Sequence, residues 1–231
     1  MAFRAIGFDI DGTLYPSWRL NLALAGLAVR NYRCLKAFGR VRHELRELAR
    51  TPEYRAAPPA GIEEFHRLQA GLVARRMGID EEQALRRIER FFYRVVPESF
   101  DRIRTFPGVR ETLLRLKAAG LRLGALSDFP GERKLELLGL DGLFDVVMTS
   151  EETGYLKPEP EPIRILAGRL GVESRDLLYV GNSAAYDVAG AKAAGAPSAY
   201  VRTLLGGRKD GGADFSFRRY PDLADWILSR P

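Results

Sequence analysis

The stretch Phe3-Arg4-Ala5-Ile6-Gly7-Phe8-Asp9-Ile10-Asp11-Gly12-Thr13-Leu14-Tyr15 decides how this chain folds. An apolar run of strand length that stops at Gly12 and Thr13 reads as a short buried strand ending in a turn. On extended backbone, residues i and i+2 point to the same side, so Asp9 and Asp11 would start together at the mouth of a sheet. Their mutual repulsion is costly unless a cation or a proton shares the place. A divalent metal meets that demand, and so does one carboxylate serving as proton donor beside an ionised partner. Taken alone, the segment could equally be an ordinary Asp-Gly turn.

Three more apolar runs end in polar residues suited to phosphate chemistry. Leu121 to Leu126 leads to Ser127. Asp145 to Met148 leads to Thr149, Ser150 and then Lys157. Leu177 to Gly181 leads to Asn182 and, five residues on, Asp187. In an open parallel sheet, ligands bind outside the carboxyl ends of the strands. Residues far apart in sequence can therefore converge on one crevice.

The order Asp9-Ile10-Asp11-Gly12-Thr13, Ser127, Lys157-Pro158 and Gly181-Asn182-Ser183 with Asp187 resembles the four motifs of the haloacid dehalogenase-like hydrolase superfamily. Phe106-Pro107-Gly108-Val109, before the second motif, is similar to the branch with a helical cap. The resemblance covers nearly the whole chain. It implies an α/β fold: a Rossmann-like doubly wound parallel sheet core, made by residues 1–15 and 100–231, with an inserted α-helical cap at 16–99.

Periodicity supports that division. Strand candidates lie near 122–127, 145–149, 177–181 and 198–202. Helix candidates lie near 108–119, 131–138, 160–170, 186–195 and 221–229, an alternation that argues for a parallel sheet covered on both faces. Gly120, Gly139 and Gly171 fall where helices stop. In residues 16–99, by contrast, apolar residues such as Leu35, Phe38, Val41, Leu45 and Leu48 recur at helical spacing. Pro52, Pro58, Pro59 and Gly61 mark a break between helices, and the chain should return to the core near Pro97 to Phe106. The stretch Gly206-Gly207-Arg208-Lys209-Asp210-Gly211-Gly212 has no helix start after it and reads as a surface loop, not a phosphate cradle.

Length, composition and charge narrow the function. The chain has 231 residues and a hydrophobic share of 46%, enough for one sizeable core and a smaller lobe. No apolar stretch reaches membrane-spanning length, and Cys34 alone can form neither an intrachain disulfide nor a cysteine metal cluster. The opening residues enter a core strand at once, so no cleaved signal is expected and a cytoplasmic setting follows. Residues 16–99 hold 16 Lys+Arg against 10 Asp+Glu, so they carry the entire net charge of +6. A basic lid would attract anionic substrates, whereas helices with solvated basic faces would do nothing of the kind; both readings stay open. No nucleic-acid motif is present. A small phosphorylated molecule is the expected partner, with no nucleic acid or membrane, for a monomer or homodimer.

The resemblance also implies the chemistry. Asp9 would be the nucleophile and Asp11 the general acid and base; Ser127 would hydrogen-bond the transferring phosphoryl group, and Lys157 would offset charge. Mg2+ would be held by the Asp9 carboxylate, the Asp11 backbone carbonyl and the fourth-motif side chain, Asn182 or Asp187. Two positions depart from the family pattern. Asn182 stands where most members have aspartate, which removes one negative charge. Asp128 follows Ser127 where a neutral residue is common; it is placed with the phosphate-binding residues and is expected to turn toward backbone amides or a cap arginine. Dehalogenation needs neither Asp11 as proton donor nor magnesium. Carbon–phosphorus cleavage would call on a cap lysine, of which Lys36 is the only one. A weakly catalytic binding relative rests on Asn182 alone. Tyr15, Trp18 and Tyr32 could line the pocket or pack the cap. His43, His66 and Cys34 lack partners at ligand spacing.

Overall fold

Six short apolar segments pair side by side: β1 (Ala5–Phe8), β2 (Arg122–Ser127), β3 (Val146–Thr149), β4 (Leu177–Gly181), β5 (Ser198–Val201) and β6 (Phe215–Phe217). A computed structural model describes residues 3–203 and 209–230. The strands form one parallel sheet in the order β3-β2-β1-β4-β5-β6. β1 is flanked by β2 on one side, with Phe8 beside Ala125, and by β4 on the other, with Phe8 beside Val180. The strand order reverses between β1 and β4, and such a reversal opens a crevice at the carboxyl ends.

Between β1 and β2 the chain makes helices only: α1 (Ser17–Arg30), α2 (Tyr32–Leu48), α3 (Pro52–Ala56), α4 (Ile62–Met77) and α5 (Glu81–Ile88), the last running through a π-helical turn (Glu89–Val95) into α6 (Val96–Glu98). Thr51 caps α3 by accepting from the Tyr54 amide, Pro52 takes its first turn, and Asp80 caps α5 through the Gln83 amide. Phe38, Val41 and Leu45 of α2 pack with Phe65, Leu72 and Val73 of α4 and Ile88 of α5 in an apolar cluster that Leu156 and Phe129 of the sheet domain join. α1 is the exception, since none of its residues is buried.

The remaining helices are α7 (Val109–Ala118), α8 (Glu132–Leu137), α9 (Glu161–Arg169), α10 (Ala189–Ala194) and α11 (Tyr220–Leu228). Alternation along the strands sends side chains to two separate layers. Ile6, Phe8 and Leu123 pack with Leu113 of α7, Leu135 of α8 and Leu223 of α11. Ala5, Leu126 and Tyr179 pack on the opposite face with Leu166 of α9 and Ala191 of α10. The doubly wound parallel sheet is therefore present, with every strand expected from periodicity. β6 lies beyond the strands expected, and the helix placed near 186–195 starts as a π-helical turn (Ala184–Val188). Residues 204–208 of the glycine- and cation-rich stretch lie outside the described residues. In the described part, Asp210 accepts from Ser216 at 2.7 Å and from the Gly212 amide at 3.0 Å.

Candidate active site

Strand ends from across the sheet deliver Asp9, Asp11, Ser127, Asp128, Lys157, Asn182 and Asp187 to one pocket of about 160 Å³. Asp9 follows β1, and its amide still pairs with the Val180 carbonyl at 2.9 Å, which fixes its place at the reversal of strand order. Its carboxylate is buried between two donors: Lys157 Nζ reaches Oδ1 at 2.7 Å and the Thr13 hydroxyl reaches Oδ2 at 2.6 Å. Lys157 Nζ also bonds Asp187 Oδ1 at 2.7 Å, so one ammonium bridges two carboxylates. Burial pushes the Asp9 carboxyl up to about 7; Lys157 opposes the rise, and Asp187 and Asp11 add to it. Burial works against the Lys157 charge, but Asp187 and Asp9 outweigh it and hold the ammonium well above the usual lysine range.

Asp11 has a different set of partners. Tyr15 OH donates to Oδ1 at 2.6 Å, while Ser127 Oγ at 2.7 Å and Lys134 Nζ at 2.6 Å both donate to Oδ2. Burial would raise this carboxyl, yet the Lys134 ammonium and the hydrogen bonds from Lys134, Tyr15 and Ser127 hold it below the ordinary value. The repulsion foreseen between the two aspartates is thus met by two lysines, one on each. Lys134, on α8 and 2% exposed, is a site residue that motif order does not reveal. Its segment Glu132-Arg133-Lys134-Leu135-Glu136 reads as a charged helix. The only signal is its place one helical turn into the element that follows Ser127.

The loop after β4 is shaped around two glycines. Gly12 has φ +85°, and a side chain there would meet Asn182 Nδ2 at 2.4 Å; a side chain on Gly181 would collide with Asp187 at 2.3 Å. Asp187 therefore folds back, its Oδ2 accepting from the Asn182 amide at 3.1 Å and the Ser183 amide at 2.9 Å. Both oxygens of Asp187 are occupied by protein donors. Asn182 Oδ1 lies 3.2 Å from the Thr13 hydroxyl, which also faces Asp9 Oδ2. One hydroxyl proton cannot serve both oxygens, so the pair retains acceptor capacity that a hard cation would satisfy. Among the described residues, no three His, Cys, Asp or Glu side chains gather as a metal cluster. A carboxylate and an amide oxygen that share one donor would suit a hard cation such as magnesium.

α2 reaches the residues of the pocket wall. Arg46 donates through Nη2 to Asp128 Oδ2 at 2.7 Å and through Nε to the Lys157 carbonyl at 2.7 Å, and its guanidinium lies 4.4 Å from the Tyr186 ring. One turn back, buried Arg42 pairs with fully buried Glu151 and donates to the Asp128 carbonyl at 2.6 Å. Glu151 also meets His66 Nε2 at 2.9 Å and Tyr93 OH at 2.8 Å. Asp128 completes its shell with Ser150 Oγ at 2.6 Å and the Lys157 amide at 3.3 Å. Burial acts to raise Asp128, but Lys157, Arg42 and Arg46 outweigh it and hold the carboxyl low. The turn toward a backbone amide and an arginine is present. It occupies the Asp128 carboxylate, so the side chain is not available to phosphate, contrary to its grouping with the phosphate-binding residues.

Other candidates lie elsewhere. Trp18 and Tyr32 are exposed at 45% and 61%, and neither lines this pocket. Lys36 sits 5.7 Å over the Tyr32 ring, also outside it. His43 is exposed, whereas His66 joins the Glu151 cluster.

A parallel sheet that presents paired carboxylates, a lysine and a serine at its point of reversed strand order defines an enzyme of the hydrolase class. The chain belongs to the haloacid dehalogenase-like hydrolases, whose profile matches residues 3–195. It is 31% identical to a glyceraldehyde 3-phosphate phosphatase of Methanopyrus kandleri, covering 99% of this chain and 94% of that one. It is also 31% identical to a phosphoglycolate phosphatase of Salmonella typhimurium, over 84% of this chain and 79% of the relative. In fold it matches a phosphatase of the same family from Thermococcus onnurineus, with a TM-score of 0.62 at 24% identity over 98% of both chains. An L-2-haloacid dehalogenase of Xanthobacter autotrophicus aligns with a TM-score of 0.67 at 19% identity, over 99% of this chain and 100% of the other.

Proposed function

We propose that this protein is a magnesium-dependent phosphomonoesterase for a small phosphorylated metabolite, working through an aspartyl-phosphate on Asp9. The observation that carries the reading is the convergence of Asp9, Asp11, Ser127 and Lys157 on one pocket at the reversal of strand order. Asp9 is buried beside Lys157, whereas Asp11, partly exposed, is held by Ser127, Tyr15 and Lys134. An Asp9 oxygen would attack phosphorus as the bond to the leaving oxygen breaks, and Asp11 would supply the proton that oxygen needs. Water would then attack the acyl phosphate, losing its proton to Asp11, and the bond from phosphorus to Asp9 would break to release phosphate. Ser127 would hydrogen-bond the transferring group, and Lys157 would keep the crowded carboxylates from repelling it. Asp9, the Asp11 carbonyl and Asn182 would hold the ion, with Asp187 fixing the loop that carries Asn182; the ion supplies charge neutralisation at the phosphoryl oxygens.

Residues 16–99 act in this reading as a cap over a core of 1–15 and 100–231. Their apolar cluster, which closes against Leu156 and Phe129 of the core, and the reach of Arg46 to the pocket wall support that role. A pocket of about 160 Å³ suits a short substrate, as do the two- and three-carbon phosphates named for its relatives. Cys34 is unpaired, no described helix is long and apolar enough to cross a membrane, and we place the activity in the cytoplasm. Carbon–phosphorus cleavage through a cap lysine finds no support, since Lys36 is outside the pocket. The test is hydrolysis of an aryl phosphate with and without magnesium, followed by trapping of the phosphoenzyme. Turnover that is independent of magnesium, or that persists in Asp9→Asn, would overturn the proposal.

A further inference from the structure

A second cavity, of about 910 Å³, opens at the α1–α2 junction and shares no residue with the catalytic pocket. Its rim carries Arg30, Arg33, Arg87 and Arg90, all exposed, and no carboxylate lines it. Neighbouring arginines have acidic partners: Arg76 pairs with Glu44 at 2.7 Å, and Arg86 pairs with Glu82. Among the described residues, the four rim arginines have no salt bridge. Four like charges around a concave surface repel one another and focus a positive field into it. The first turn of α2 adds no acidic residue there, and the Asn31 side chain caps none of its amides, its Nδ2 donating instead to the Leu27 carbonyl at 2.9 Å. The opening residues of α2, Tyr32 to Cys34, line the cavity. The floor is apolar, with Leu27, Met77, Ile79 and Phe91, and the exposed Tyr32 ring stands at the edge.

We propose that this cavity binds a nucleoside polyphosphate. Guanidinium forks match phosphate oxygens, and a planar base finds an apolar floor and a ring to stack on. Its volume is that of a small-molecule site, whereas the catalytic pocket is far too small for such a ligand. Cys34 and Arg46 are twelve residues apart on α2, which places the two sites about 18 Å apart along the helix axis. The cationic surface of the insertion is thus divided: Arg42 and Arg46 face the sheet domain, and the rim arginines serve a ligand of their own.

Calorimetric titration of the whole magnesium-loaded protein with a non-hydrolysable imido analogue of ATP tests this. One equivalent is expected to bind, with inorganic tripolyphosphate roughly tenfold weaker for want of a base. Arg87→Glu/Arg90→Glu should weaken the analogue roughly tenfold or more with unchanged thermal unfolding, and Arg46→Ala should leave its affinity unaltered. Absence of binding, or loss through Arg46→Ala with none through the double variant, would overturn the site. Tripolyphosphate binding as tightly as the analogue, or a single-stranded oligonucleotide binding more tightly, would overturn the ligand class. A dimer that buries the cavity and excludes the analogue would overturn both.

Discussion

Asp9 and Asp11 are separated by one residue, yet Lys157 holds one and Lys134 the other, and their protonation preferences diverge accordingly. With Asp9 pushed up to about 7, the folded protein binds a proton more readily than the unfolded chain does. Its ionisation therefore costs stability progressively as pH rises from the ordinary carboxylate range through 7. Asp9→Asn cannot ionise. It is expected to melt at a higher temperature than the metal-free wild type at pH 8, with the gap closing at pH 5, and to show no turnover at either. Melting curves at the two pH values check this, and a gap independent of pH would contradict it. For Asp11→Asn, the rate should fall roughly 100- to 10,000-fold on esters with poor leaving groups and less on activated aryl esters. Lys134→Met should share that dependence on leaving group, because it removes the cation that positions Asp11. A series of esters graded by leaving-group acidity measures it; an unaltered slope would exclude Lys134 from the proton step. Asn182→Asp should lower the magnesium concentration for half-maximal activity with little change at saturation, and superimposable titrations would remove residue 182 from the ligand set. Motif order pointed to each of these residues except Lys134. That cation is ordinary in sequence and becomes special only because α8 packs it, 2% exposed, against the pocket.

Helices and strands differed in how much of their role periodicity could convey. Apolar runs ending in polar residues marked β1 to β4 and the alternation added β5, but Phe215-Ser216-Phe217 of β6 is too short to stand out from a loop. On α2, Arg42 and Arg46 lie one turn apart and so share a face. Spacing could not say that this face turns inward, since that depends on partners distant in sequence. The partners are Asp128 and Glu151, and the second is fully buried. Breaking a buried pair on one side leaves the other charge stranded, at a cost of about 3–5 kcal/mol. Arg42→Met is expected to destabilise the protein by about that much, measured by denaturant unfolding, while Glu47→Ala on the exposed side of the same helix should change little. A loss below about 1 kcal/mol would mean that Glu151 takes up a proton or finds water when Arg42 is gone.

Over the whole molecule, the doubly wound topology followed from alternation along the chain, and the location of the site followed from the topology. The excess of +6 belongs entirely to residues 16–99, so the phosphorylated substrate proposed above would approach a positive lobe. Raising salt from about 0.02 to 0.3 M, which shortens the reach of charge from about 20 Å to 6 Å, should lower kcat/KM and leave kcat nearly constant. Steady-state rates across that range provide the check, and a kcat/KM indifferent to salt would show that the basic helices do not steer. The position of β1 at the centre of the sheet has a further consequence, for synthesis at the ribosome. Ala5 pairs with Leu177, and Asp9 meets Asp187 through Lys157. At about 5–20 residues per second, roughly eight to thirty-five seconds separate translation of Asp9 from translation of the strand beside it. The helical insertion, rich in local contacts, can form in that interval, but the central strand must wait. Asp9 is thus made well before the strand beside it, and it is enclosed only when that strand arrives.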